Sequence, residues 1–123
     1  MTLVVHTARI SCRDPDRFDI TRKGAWLAMR AGQAADDTGD AFAPSWPLLR
    51  SAKAGTLAWG EYEARYLAEM RESYRKRRHV WDALLARPRV VVFCYEVDPL
   101  ECHRSLFADI LGKLGADVRG ELS

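Results

Sequence analysis

The apolar positions of the chain change rhythm several times, and each change predicts an element. Leu3-Val4-Val5-His6-Thr7-Ala8-Arg9-Ile10 is apolar and β-branched, as a first strand requires. It leads into Ser11-Cys12-Arg13-Asp14-Pro15-Asp16-Arg17, a polar stretch with the composition of a turn. A short helical turn fits Gly24 to Met29. Gly32 through Asp40 then mixes Gly, Asp, Thr and Gln without a period, and Pro44 and Pro47 bracket Ser45-Trp46. Residues 30–47 are therefore expected to form a partly mobile loop, of a length that often serves as a lid or binding loop.

From Trp59 to Leu85 the apolar residues Trp59, Tyr62, Tyr66, Leu67, Met70, Tyr74, Trp81, Leu84 and Leu85 recur at steps that mark one face of a long amphipathic helix. Nothing in the spacing requires a bend, and Arg87-Pro88 ends it. Arg89-Val90-Val91-Val92-Phe93-Cys94-Tyr95 is a continuous apolar run, the pattern of a central strand covered on both faces. A helix from Leu100 or Cys102 to Leu114 turns Leu106, Ile110, Leu111 and Leu114 inward, Gly115 stops it, and Ala116 to Gly120 forms a short last strand. This order predicts one α/β domain over residues 1–123: a small, mostly parallel sheet with one long amphipathic helix and a C-terminal helix, in a two-layer or three-layer Rossmann-like arrangement.

Composition narrows the picture. A chain of 123 residues with 48% apolar side chains suits a single core. No stretch approaches the roughly 18 apolar residues that span a bilayer, and the first ten residues lack the features of a secretory signal, so a soluble, cytoplasmic protein without membrane contact is expected. Three cysteines, Cys12, Cys94 and Cys102, point to free thiols in a reducing compartment rather than to a disulfide framework. A formal charge of +2 does not by itself mark a nucleic-acid binder. Two basic clusters stand out nonetheless. Arg71, Arg75, Lys76, Arg77 and Arg78 read foremost as a solvated helix surface, whereas Arg13, Arg17, Arg22 and Lys23 follow the first strand and are harder to dismiss.

Candidate chemistry gathers where the central strand passes into the last helix, because ligands of open α/β sheets collect beyond the carboxyl ends of parallel strands. Cys94, Tyr95, Glu96, Asp98, Cys102, His103 and Arg104 occupy this junction. Cys94 suits a packed small hydrophobe. Cys102 at a helix start beside His103 and Arg104 has the surroundings of an activated thiolate. His103 is either a ligand or acid–base group or a satisfied structural imidazole. Arg104 is an anion contact, or else the partner of Asp98, Glu101 or Asp14. A zinc site from Cys94, Cys102 and His103 is disfavoured, since there is no Cys-x-x-Cys pair and neighbouring helical residues diverge by about 100°. No metal or cofactor is expected.

The ordered set Phe18-Asp19-Ile20-Thr21-Arg22-Lys23, Phe42-Ala43-Pro44-Ser45-Trp46, Glu61-Tyr62 with Tyr66-Leu67, Met70 to Arg75, Cys94-Tyr95, Cys102-His103-Arg104 and Gly120-Glu121 resembles compact bacterial and phage members of domain-of-unknown-function family 488. The resemblance spans nearly the whole chain. It implies a compact α/β fold and a site assembled from the segments around Asp19–Lys23, Ala43–Trp46 and Cys102–Arg104. Relatives often read Cys-Tyr-Cys on the central strand, where this chain has Cys94-Tyr95-Glu96, which weakens a metal or redox role.

If the strands are parallel, Arg13, Asp19, Thr21, Arg22 and Lys23 face Glu96, Asp98, His103 and Arg104 across one sheet edge. Ser45 and Trp46 would join them, Trp46 stacking on a flat ring or else simply covering the core. The expectation is an enzyme directed at a nucleotide, nucleoside or nucleic-acid base, with N-glycosidic hydrolysis as its concrete form. Asp19, Glu96, His103 and Cys102 would be catalytic. Arg13, Thr21, Arg22, Lys23, Ser45, Trp46, Cys94, Tyr95, Asp98 and Arg104 would bind the ligand. A non-catalytic nucleotide or nucleic-acid binding module and thiol chemistry at Cys102 are the alternatives, and the oligomeric state is open.

Overall fold

A computed structural model describes residues 2–94 and 103–122. Among them β1 is Val4–Arg9, β2 Arg17–Asp19, β3 Arg89–Cys94 and β4 Asp117–Glu121; α1 is Arg22–Arg30, α2 Trp46–Lys53, α3 Trp59–Lys76, α4 Arg78–Leu85 and α5 His103–Lys113. The strands form one sheet in the order β2-β3-β1-β4, and every neighbouring pair is parallel. The α/β prediction holds, and the apolar run at 89–94 is an inner strand.

The strand order accounts for the layering. The connections β2→β3 and β3→β4 advance across the sheet in the same direction, so right-handed crossovers put their helices on one face. Residues of α2 to α5 accordingly share a single core with Leu3, Val5, Val90 and Val92. The connection β1→β2 runs in the opposite direction and crosses the other face. It has no helix: Cys12 packs there against Ala8, Val91 and Phe93, and Leu122 joins them. Arg89 fastens this loop through Asp14 at 2.7 Å and Asp16 at 3.0 Å. The result is two layers, with a loop as a thin cover on the second face.

Three elements differ from the sequence pattern. The long helix of residues 59–85 is two helices that break at Arg77 (φ −124°, ψ 42°). The break brings the fully buried Trp81 back onto α3, where its Nε1 donates to Ser73 Oγ at 3.0 Å. In a straight helix those residues stand about 12 Å apart along the axis. Residues 30–47 are not featureless either. Two 3-10 turns, Ala35–Asp37 and Gly39–Phe42, lie in this span, and Phe42 is buried edge-on against Trp81 at the centre of the core. Finally, Ser45-Trp46-Pro47 opens α2, with Ser45 as N-cap accepting from Leu48 N–H at 3.3 Å. None of the described helices is long and apolar enough to cross a membrane.

Candidate functional site

The site is built outward from the carboxyl ends of β2 and β3. Ile20, just past β2, donates its N–H to the Phe93 carbonyl at 3.3 Å, so the two strands end level with each other. The chain then turns at once into α1. Asp19 Oδ1 accepts the Thr21 N–H at 2.8 Å, and Thr21 caps the helix by accepting the Gly24 N–H at 3.0 Å. Thr21, Arg22 and Lys23 thereby stand at a helix amino-terminus beside the end of β3, a position favourable for an anion.

A cavity of about 630 Å³ opens at this place. Thr21, Arg22 and Lys23 form one wall, Cys94 and His103 its inner end, and Pro44, Trp46, Leu49, Ala52 and Lys53 a second wall along α2. Leu57, Trp59 and Tyr62 complete it. Trp59 and Tyr62 stack nearly parallel, with centroids 5.1 Å apart, and Trp46 is 40% exposed and so available to a ligand. Lys23 and Lys53 are exposed and have no ion-pair partner among the described residues. No carboxylate belongs to the described lining. The mouth is therefore cationic and aromatic at once.

The arginine of that wall is committed elsewhere. Arg22 donates through Nε to the Pro44 carbonyl at 2.9 Å, through Nη2 to the carbonyls of Asp40 (3.1 Å) and Ala43 (3.0 Å), and through Nη1 to the Asp40 carboxylate. Asp40 also holds Arg77 at 2.7 Å. Around the same turn, Tyr66 Oη donates to the Phe42 carbonyl and Ser73 Oγ to the Ala41 carbonyl, each at 2.7 Å. Burial holds the Tyr66 phenol well above its usual pKa, so it stays a donor. Glu69 accepts from Ser45 N–H at 2.8 Å and Ser45 Oγ at 2.5 Å. This network fixes residues 40–45, and hence the start of α2, against α1 and α3.

His103 is buried, and its Nε2 lies 2.7 Å from the Ile20 carbonyl, an arrangement that places the proton on Nε2. Burial lowers its pKa to about 4, with the Arg104 and Arg22 charges acting in the same direction and the Ile20 carbonyl opposing them. At neutral pH it is a neutral imidazole.

Residues 8–115 match the model of the active DUF488-N3 subclade. The chain belongs to the DUF488 family. No curated protein and no solved structure matches it. Of the DUF488 segments singled out in the sequence, the structure brings Thr21, Arg22, Lys23, Trp46, Cys94 and His103 into one cavity.

Others lie elsewhere. Arg13 is exposed on the loop over the second face and does not line the cavity. Asp19 lines a separate cleft of about 230 Å³ with Asp37 and Thr38. Ser45 is committed to Glu69 and the α2 cap. Arg104 is fully buried and turned to β4, where Nε and Nη2 hold Glu121 at 3.1 and 2.8 Å, while Nη1 lies 3.3 Å from Cys94 Sγ. Glu121 was not among the partners expected for it. Its placement depends on Gly120 (φ 94°) at the point where the β1–β4 register shifts. Cys94 is disulfide-bonded, against the expectation of a free thiol, whereas Cys12 is free. Tyr95, Glu96, Asp98 and Cys102 lie outside the described residues. Lys53, Trp59 and Tyr62 were missed as site residues. Trp59 and Tyr62 had been assigned to the inward stripe of a helix, and a Ser cap followed by Pro within the first turn was the available sign of α2.

Proposed function

We propose that the cavity binds a phosphorylated nucleoside or a base-bearing nucleic-acid end, and that the protein is an enzyme acting on it, with N-glycosidic hydrolysis as the reaction to test. The observation that carries the reading is the presence, in one cavity, of Lys23 and Lys53, which have no carboxylate partner among the described residues, together with exposed Trp46 and the Trp59–Tyr62 stack. Lys23 at the amino-terminus of α1 suits phosphate, Lys53 at the end of α2 adds a second cation to the same cavity, and an aromatic wall suits any base, since each base offers a π-face. The description of the matched subclade as active agrees with chemistry rather than mere binding.

Within this reading the roles are unequal. Neutral His103 serves as a hydrogen-bonding wall and is a poor proton donor at pH 7. Carboxylate chemistry falls to Glu96 or Asp98, which follow Cys94 in sequence, because the described lining supplies none. A purely nucleic-acid-binding role for residues 71–78 has less support: Arg75 and Lys76 pair with Glu72, Arg77 with Asp36 and Asp40, and Arg78 with Asp82.

Calorimetry with a panel of nucleosides and their monophosphates tests the binding. Trp46→Ala is expected to weaken both classes by about 1–3 kcal/mol, the worth of one stacked base. Lys23→Ala with Lys53→Ala should weaken only the phosphorylated ones. Chromatography of the same mixtures and of DNA carrying modified bases detects a released base, whose appearance Glu96→Gln or Asp98→Asn should abolish. A panel in which nothing binds and nothing is cleaved refutes the proposal.

A further inference from the structure

At the far edge of the sheet, β4 pairs only with β1 among the described residues, and all five of its residues are exposed. The Asp117 N–H donates to the Leu3 carbonyl at 2.8 Å. By the alternation of a strand, the N–H and C=O of Val118 then point away from β1 toward the open edge. Val118 is 38% exposed, its side chain lies toward α5 beside Gly112, and Leu114 at the end of α5 is 37% exposed. Exposed apolar positions thus flank a strand edge with unused backbone groups, the situation natural sheets ordinarily cover or disrupt.

The charges on this edge are arranged as a self-complementary pair. Asp117 and Arg119 flank Val118 on the opposite face of the strand and hold each other at 3.0 Å. If a second β4 is laid antiparallel with the two Val118 residues facing each other, Asp117 of each copy stands opposite Arg119 of the other. Two Val118–Val118 backbone hydrogen bonds form, and both cross-strand charge pairs are of opposite sign. A parallel or one-residue-slipped pairing loses this match.

We propose that β4 is a dimerisation edge, at which a second copy of this chain extends the sheet across a twofold axis centred on Val118. The surface is isologous, as twofold symmetry demands, and it lies at the opposite edge of the sheet from β2, so the proposal is independent of what the cavity binds. With only a short ladder, the association is expected to be concentration-dependent.

Sedimentation equilibrium of the whole chain over a wide concentration range provides the test, with circular dichroism confirming that each variant folds. The wild-type protein should pass from the chain mass toward twice that mass. Asp117→Arg puts like charges opposite each other at both symmetric positions and should weaken dimerisation by about tenfold or more. The double exchange Asp117→Arg with Arg119→Asp restores both cross-strand pairs and should restore the dimer. Val118→Lys, which buries two facing ammonium groups, should abolish it. A wild-type monomer at all concentrations, a dimer indifferent to Asp117→Arg, or a double exchange that fails to rescue would each overturn the inference.

Discussion

The ion pair between Arg104 and Glu121 offers the sharpest test of how α5 is held to the end of β4. Arg104 is fully buried, whereas the Glu121 side chain keeps 27% of its exposure. Glu121→Gln leaves the shape nearly unchanged but removes the Glu121 carboxylate and turns an amide toward the guanidinium. Breaking a buried pair by removing one partner costs about 3–5 kcal/mol, and the partial exposure of Glu121 places this one at about 3. With a urea dependence of about 1.5 kcal/mol per molar, the midpoint of unfolding should fall by about 2 M. The pH dependence gives a second readout. Burial raises the Glu121 pKa, but hydrogen bonds from Arg104 and Thr7 outweigh it and hold the carboxyl below its usual value of 4.5. The stabilisation is therefore complete above pH 4.5 and is lost as pH falls through the lower folded value. Wild type should keep a constant advantage over Glu121→Gln down to about pH 5 and lose it progressively below. A midpoint shift under about 0.5 M at neutral pH, or an advantage already gone at pH 6, refutes the reasoning.

Two further outcomes follow from the same geometry. His103, with a folded pKa of about 4 against 6.5, must take up its proton in the unfolded chain first. Its contribution is present above pH 6.5 and lost as pH falls toward 4, by about 3 kcal/mol in all, and His103→Gln should flatten a plot of urea midpoint against pH over that window. An unchanged slope contradicts the burial argument. Gly39 lies so close to the end of β2 that a Cβ would sit 1.8 Å from the Asp19 carbonyl oxygen. Gly39→Ala should cost about 2–3 kcal/mol and lower the melting temperature by about 10 °C, and an unchanged melting temperature would show that the turn yields freely.

The sequence was most informative where local pattern and tertiary role coincide. Val90 to Phe93 read as an inner strand because burial on both faces leaves no polar position, and β3 is one. The break at Arg77 was illegible, because apolar spacing continues smoothly through it. What bends the chain is a long-range demand, the Ser73–Trp81 hydrogen bond together with the hold of Asp36 and Asp40 on Arg77. Residues 39–45 read as loop for a related reason. Their order comes from carbonyls satisfied by Arg22, Tyr66 and Ser73, partners that lie 18 to 32 positions away and leave no period in the local sequence. The loop after β1 shared a sheet edge with β2 only in part: it returns across the second face toward Arg89, carrying Arg13 away from the cavity.

The division of labour between arginine and lysine explains why Arg22, although it stands in the cavity wall, has its donors spent on the fold, while the lysines of that cavity do not. A guanidinium offers several donors in a rigid plane and so can satisfy carbonyls and carboxylates from different segments at once. Arg22 does this for residues 40–44 and Arg104 for Glu121, and both have their donors turned inward. An ammonium on a flexible stem is poorly suited to such a joint and well suited to meeting a diffusing anion, and Lys23 and Lys53 stand exposed at the cavity with no ion-pair partner among the described residues. It follows that the two kinds of cation should separate in experiment. Substituting Arg22 or Arg104 ought to act on the stability of the fold first and on the cavity only through it. Substituting Lys23 or Lys53 ought to leave stability alone and act on what the cavity holds. The same separation applies to Ser45, spent on the α2 cap and Glu69, against Trp46 one residue later, which the cap presents at the rim.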